Sequence, residues 1–373
     1  MAGIVISGYY GFGNAGDEAI LASIVASLRL TFPDTRLTVI SKDPAATAAK
    51  HSVSAVGRFD VAGVLSALKR SNVLLSGGGS LLQDVTSLRS LMYYLSIITL
   101  AKGLGKRVML FANGFGPVTS DRGKTAVRTV LDWVDIATFR DQNSYDDVRA
   151  LGVNRPRMEV TADPVFLLDE MMSDGARALH RREAERALRE TGIPELGGPL
   201  VGVSLRPWMH AAREFKATLR SVLVRLSASG ARVVLVPLHH DQDLGLSEEI
   251  VKDVQFPLFV VREELGPETI MEMVGLMDAL LGMRLHSLVF AVAKCVPCAA
   301  ISYDPKVSSF ASTVGLPVAS EVTCPDADLI YGTIDRALKD SAKIAGVLRE
   351  RRIEQRTLAK RNFDLLSLLL SGR

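Results

Sequence analysis

The chain has 373 residues, 48% of them apolar and 23% charged, with a formal net charge of +3. That length exceeds what one hydrophobic core usually organises, so two domains of similar size are expected, with the composition of an ordinary globular protein. The small positive surplus gives no ground for a nucleic-acid partner, although it suits an enzyme that handles anionic substrates.

Residues 3–7 form a short apolar run that leads straight into a glycine-rich turn. With no basic segment and no cleavage site there, no secretory leader is expected. Residues 91–101 and 365–370 are the longest apolar stretches, far below the roughly 20 residues needed to span a bilayer. The expected location is the cytoplasm.

Through the first half, short β-branched runs alternate with longer amphipathic ones. Residues 4–7, 37–40, 73–76, 108–112 and 136–139 read as buried strands, and 17–30, 61–69, 87–104 and 122–133 as helices. Such alternation predicts a parallel sheet covered on both faces. The pattern breaks near Leu168. Residues 171–190 are rich in Ala, Arg and Glu and favour helix, ending at Gly192-Ile193-Pro194 and Gly197-Gly198-Pro199, strong punctuators of a chain. A second βα series follows, with strands at 201–205, 233–236, 258–261, 279–282 and 299–301.

The expected fold class is therefore α/β, with two Rossmann-like domains facing across a cleft in a GT-B-like arrangement. An N-terminal domain would cover residues 1–170, a linker helix and turn 171–198, a second domain 199–345, and a C-terminal helix 346–373 packing back across the domains. That helix carries Arg351, Arg352, Arg356, Lys360 and Arg361 before its leucines. Packing is favoured for the leucines, and the basic face leaves open a peripheral contact with the inner face of the membrane.

In open parallel sheets, ligands sit beyond the carboxyl ends of the strands, so the following loops are the places to look for chemistry. The first is Gly8-Tyr9-Tyr10-Gly11-Phe12-Gly13-Asn14-Ala15-Gly16-Asp17-Glu18. Gly11, Gly13 and Gly16 satisfy G-x-G-x-x-G between strand and helix, and Asp43 lies near the distance of a ribose contact. Asp17 and Glu18 argue against a nicotinamide cofactor, because they open the helix and would repel a pyrophosphate. Asp17 also reads simply as a first-turn acid that steadies the helix.

Ser76-Gly77-Gly78-Gly79-Ser80-Leu81-Leu82-Gln83-Asp84 reads as a second glycine-rich loop, and Asn113-Gly114-Phe115-Gly116-Pro117 as a third. They suit a sugar or phosphate site, with a steep strand-to-helix turn as the structural alternative. Arg140, after the strand at 136–139, either clamps a carboxylate or phosphate or pairs with Asp141 or Asp163.

The second domain carries the denser cluster. Met283-Arg284-Leu285-His286-Ser287 follows one strand, and Ser302-Tyr303-Asp304-Pro305-Lys306 follows the next. Adjacent parallel strands would bring Arg284, His286 and Lys306 to one rim, where cations and helix N-termini suit a small, multiply charged anion. Arg206, Trp208, His239 and His240 end two earlier strands. Asp241 and Asp243 give the histidines a metal-like composition, but no ligand spacing accompanies it, so substrate contact is preferred. Cys295-Val296-Pro297-Cys298 has no second pair and reads as small buried residues beside a strand.

Gly11-Phe12-Gly13-Asn14-Ala15-Gly16-Asp17-Glu18, Gly77-Gly78-Gly79-Ser80, Met283-Arg284-Leu285-His286-Ser287 and Ser302-Tyr303-Asp304-Pro305-Lys306 together resemble the polysaccharide pyruvyl transferases, closest to the CsaB type. The resemblance covers nearly the whole chain, in order. It implies phosphoenolpyruvate as donor and, as acceptor, an N-acetylmannosamine residue of a lipid-diphosphate-linked saccharide, precursor of secondary cell-wall polymer. The implied product is a 4,6-ketal that later anchors S-layer proteins. Matched residue by residue, Arg140, His286 and Lys306 fall where the family is thought to hold phosphoenolpyruvate, with Arg284 in the same motif.

In that scheme His286 is the general acid, its ordinary pKa lying near neutrality, and Asp17 or Glu18 the base. By analogy with GT-B enzymes the donor belongs to the second domain. The acceptor then belongs to the first, with Gly13, Asn14, Asp17, Glu18, Gly78, Gly79, Ser80 and Gln83 as its contacts. Phosphate can leave without a metal, so neither metal nor other cofactor is expected. A nucleotide-sugar glycosyltransferase on the same fold is the competing enzyme, since Arg284 and Lys306 would also suit a pyrophosphate.

Overall fold

The computed structural model describes residues 3–85, 87–208 and 212–371. It divides into two compact units, one of Met1–Phe12, Asp17–Met171 and Gln355–Arg373, the other of Gly13–Gly16 and Met172–Glu354. Each is built on a parallel sheet.

In chain order the first sheet and its helices are β1 (Gly3–Ser7), α1 (Ala15–Thr31), β2 (Arg36–Ser41), α2 (Pro44–His51), β3 (Ser54–Gly57), α3 (Val61–Lys69), β4 (Val73–Leu82), α4 (Leu88–Gly103), β5 (Arg107–Phe115), α5 (Asp121–Leu131), β6 (Ile136–Phe139), α6 (Gln142–Ala150) and β7 (Arg157–Val160). A 3-10 turn at Pro164–Leu167 and the short α7 (Leu168–Met171) follow. The strand order is β3-β2-β1-β4-β5-β6-β7, so the winding direction reverses between β1 and β4. All five residues of β1 are buried, as expected of a strand covered on both faces. Asp60, Ser87, Ser120 and Asp141 cap α3 to α6, each accepting the amide three residues on. Asp43 does the same for α2, which gives it a structural task in place of a ribose contact.

Two predicted loops are strand. Gly77, Gly78 and Gly79 lie inside the ten-residue β4, paired to β5 at Gly77↔Phe111 and Gly79↔Asn113. Asn113 and Gly114 lie inside β5. The reason is packing: a Cβ on Gly78 would overlap Ile20 of α1, and one on Gly77 would stand 2.9 Å from the Tyr10 hydroxyl. Glycine here lets helix and strand approach without leaving the ladder.

The second unit contains α8 (Asp174–Glu190), β8 (Leu200–Ser204), α9 (Ala212–Ala228), β9 (Arg232–Leu235), α10 (His240–Val251), β10 (Leu258–Val260), α11 (Pro267–Val274), β11 (Ala279–Gly282), α12 (Leu285–Lys294), β12 (Cys298–Ser302), α13 (Pro305–Val314), β13 (Val318–Glu321) and α14 (Ala327–Lys339). Its order, β10-β9-β8-β11-β12-β13, reverses between β8 and β11. Cys298 is buried in β12, and burial raises its thiol pKa.

The last helix, α15 (Ser341–Ser371), contributes its first half to the second unit and Gln355 onward to the first. Leu365 and Leu366 are fully buried. Several of its cations are paired: Arg351 with Glu354 at 2.9 Å, Arg356 with Asp169 at 3.1 Å, Lys360 with Glu170 at 3.1 Å and Arg361 with Glu159 at 2.8 Å. Those charges are already neutralised within the chain, which weakens the argument for an anionic surface. Among the described residues, no helix is long and apolar enough to cross a membrane.

Candidate functional site

Both sheets gather polar groups at the carboxyl ends of strands beside the reversal of winding, the usual ligand position of such sheets. In the first unit, Gly79 adopts φ +87, and a Cβ there would lie 2.9 Å from the Asp17 carboxylate. Glu18 accepts the Gly11 amide at 2.7 Å. Tyr10 is buried between these groups; burial, then Asp17 and Glu18, raise its phenol well above the ordinary value.

Arg140 is 8% exposed and donates to Asp163 at 3.1 Å and to Ser80 Oγ at 2.9 Å. Its guanidinium lies over Gly114, where a Cβ would be 2.8 Å from Nη2. The ion pair with Asp163 realises the structural alternative for Arg140, while the bond to Ser80 joins two residues that the sequence assigned to different substrates. Asn113 is wholly buried; its amide donates to Ser76 O at 2.8 Å, while its Oδ1 has no partner. Gln83 is half-buried just past β4. Beside it, burial would raise the Asp84 carboxyl, but hydrogen bonds from Ser120 and Thr119 hold it down at about 2.

In the second unit the strand register pairs Ser204 with Gly282 and Gly282 with Ala300, so the loops after β8, β11 and β12 are consecutive along the rim. Arg284 is the N-cap of α12 and His286 lies in its first turn. The Arg284 guanidinium grips Asp243 with two bonds, Nε to Oδ2 at 3.0 Å and Nη2 to Oδ1. Asp243 is fully buried and also accepts the His239 amide at 2.9 Å. Burial and then the Arg284 charge push the His239 imidazole below its usual pKa.

Lys306 stands in the first turn of α13, its Nζ 3.3 Å from Asp304 and 5.6 Å from the Tyr303 ring centroid. Arg206 donates to the Tyr303 hydroxyl at 2.8 Å with its guanidinium 5.0 Å from the ring, and Trp208 packs on Tyr303 at 5.1 Å. Three cationic side chains thus stand at successive loops where two helices begin, an arrangement that favours a small polyanion.

The segment Gly13–Gly16 belongs to this second unit. Ala15 N donates to Leu238 O at 2.8 Å, and Asn14 bridges His239. A Cβ on Gly16 would overlap the His286 imidazole, so glycine there admits the ring. The structure thus groups Gly13 and Asn14 with Arg284, His286 and Lys306. Arg140, Asp17, Glu18, Gly78, Gly79, Ser80 and Gln83 belong to the first unit.

Among the described residues, no cluster of His, Cys, Asp or Glu could hold a metal ion. Asp243 anchors Arg284 in place of a metal role, and Tyr303, to which the sequence assigns no role, accepts the Arg206 bond. The signal for Asp243 was its place in the first turn of a helix just after a strand.

The family model of the polysaccharide pyruvyl transferases matches residues 14–305. No curated protein sequence matches the chain. Among solved structures, the S. aureus MnaA-UDP co-structure is similar at TM-score 0.69 and 9% identity, covering 100% of this chain and 97% of that one. UDP-GlcNAc 2-epimerase from Neisseria meningitidis bound to UDP-GlcNAc gives 0.66 and 8%, covering 100% of both chains. Anabaena Alr3699/HepE in complex with UDP and glucose gives 0.62 and 10%, again covering 100% of both. At such identities the likeness establishes the fold alone, α/β and GT-B-like.

Proposed function

Since the chain belongs to the polysaccharide pyruvyl transferase family, we propose that it is a ketal pyruvyl transferase of the CsaB type that uses phosphoenolpyruvate as donor. The acceptor is an N-acetylmannosamine residue, at O4 and O6, in a lipid-diphosphate-linked precursor of secondary cell-wall polymer. The observation that carries this reading is the run of Arg206, Arg284 and Lys306, with His286 among them, on successive loops of the second sheet. Phosphoenolpyruvate presents a carboxylate and a phosphate on one small carbon frame, and this cation set matches that charge.

The chemistry follows from those groups. His286 gives a proton to the methylene carbon, which leaves the central carbon electron-poor. One sugar hydroxyl attacks that carbon while Asp17 or Glu18 takes its proton. The carbon–oxygen bond to phosphate then breaks, the second hydroxyl closes the ketal and returns its proton to His286, and the proton held by the carboxylate leaves with inorganic phosphate. Arg284 and Lys306, with Arg140 as a further donor contact, stabilise the carboxylate and the charge collecting on the leaving phosphate. Asp243 holds Arg284 in place for that task.

The test is phosphate release from phosphoenolpyruvate with and without a diphosphate-lipid saccharide ending in N-acetylmannosamine. Acceptor-dependent release that falls by about 100-fold or more in His286→Ala supports the assignment. No release with any acceptor, together with tight binding of a UDP-sugar, would turn the reading to a nucleotide-sugar glycosyltransferase.

A further inference from the structure

Three adjacent strands of the first sheet end together, with Ser7 paired to Ile40 and Ser41 to Gly57. The loops that follow are tied by backbone bonds, Lys42 N to Tyr10 O and Arg58 N to Ser41 O, both at 3.0 Å. There, two cations converge on one ring. Lys42 Nζ stands 5.1 Å from the Phe12 centroid, and the Arg58 guanidinium 5.1 Å from the same centroid. Arg58 also stacks on Phe59 at 4.9 Å and on Tyr93 at 4.5 Å.

Neither cation has a carboxylate partner among the described residues, and the buried Arg58 Nε has no hydrogen-bond partner. Two like charges gathered without a counter-charge repel each other, and ring faces offset only part of that cost. An anion delivered by a ligand removes it. Phe59 is 77% exposed and edges onto Tyr93, offering an apolar face beside the charges.

We propose that Phe12, Lys42, Arg58 and Phe59 form a glycosyl-phosphate site, with the phosphate held by Lys42 and Arg58 and a pyranose ring laid on Phe59. Flat aromatic faces suit the C–H face of a sugar, and a lysine–arginine pair suits a phosphate or diphosphate. The inference deepens the pyruvyl-transfer reading, on which it rests for placing this site at the phosphate end of the acceptor. The convergence of Lys42 and Arg58 on Phe12 does not depend on that reaction. The phosphate can arrive on a lipid or on a nucleotide; the chemistry recognised is the same.

The experiment is titration calorimetry on the full chain with three probes of one sugar: a short prenyl-diphosphate derivative, the UDP derivative and the uncharged methyl glycoside. Lys42→Gln and Arg58→Gln are each expected to weaken every diphosphate probe that binds by about tenfold. Neither should alter binding of the methyl glycoside, and Phe59→Ala should weaken all probes. Lys42 is exposed, so its variant keeps the fold if Arg58→Gln does not.

Binding of the prenyl probe but not the UDP probe assigns the site to a lipid-linked ligand. Equal binding of both shows that sugar and diphosphate suffice. Unchanged diphosphate affinity in a folded Lys42→Gln variant overturns the site, even where phosphoenolpyruvate is turned over. Conversely, loss of the pyruvyl-transfer reading with Lys42-dependent diphosphate binding intact leaves the site standing.

Discussion

Asp243 lies wholly buried, with both carboxylate oxygens on the Arg284 guanidinium and the His239 amide bonded to one of them. Removing one partner of such a pair strands the other charge away from water. Asp243→Ala is therefore expected to cost about 3–5 kcal/mol of stability, read as a lowered urea midpoint. Adding Arg284→Met should restore most of that loss, because the uncompensated charge goes with it. A single-mutant loss below about 1 kcal/mol, the range of exposed pairs, would mean that water reaches the guanidinium. The motif around Arg284 was legible in the sequence, but its partner was not: Asp243 is 41 residues away and lies on another helix. Arg140 repeats the lesson, since its bonds to Asp163 and Ser80 join it to residues 23 and 60 positions away.

At the scale of the element, the alternation of apolar runs revealed the interior strands and the edge strand β10, and the other three edges escaped it. β3 has no buried residue, β7 has none either, and β13 buries only its two central ones. These three carry no continuous apolar run, so the pattern that marks a doubly covered strand is missing from them. The glycines of β4 misled for a different reason. Three in succession ordinarily punctuate a chain, but here they face a helix that packs against the strand. Gly78→Ala drives a methyl into the branched methyl of Ile20, and overpacking of this kind costs about 1–3 kcal/mol. Ile20→Leu removes that branch while conserving volume, so the two substitutions should be less destabilising together than their sum. Thermal unfolding of the four chains in a double-mutant cycle checks this, and strict additivity would place the strain elsewhere.

At the scale of the whole molecule, the first unit is completed by residues from the far end of the chain. Asn362 is fully buried, with Oδ1 2.6 Å from the Thr138 hydroxyl and 2.9 Å from the Thr161 hydroxyl, and Phe363 meets Phe111 edge-on at 5.0 Å. Arg361 adds two bonds to Glu159. The leucine run at the C-terminus read from the sequence as a packing face; which strands receive it was beyond any local pattern, since Thr138 and Asn362 stand 224 positions apart. Phe363, Leu365, Leu366 and Leu369 are all buried, and at about 1.5–3 kcal/mol per buried side chain they supply roughly 6–12 kcal/mol. A typical domain has a net stability of about 5–15 kcal/mol. A chain ending at Glu354 should therefore lose the cooperative fold of residues 17–171, although every strand of that sheet remains present. Limited proteolysis followed by mass mapping would show cleavage spread through β4 to β7 in the shortened chain and protection there in the full one. Adding a peptide of residues 355–373 should restore the protection, because the missing contacts need no covalent link to form. Protection that survives the truncation unaided would mean that the sheet and its own helices carry enough buried surface without the C-terminal half of α15.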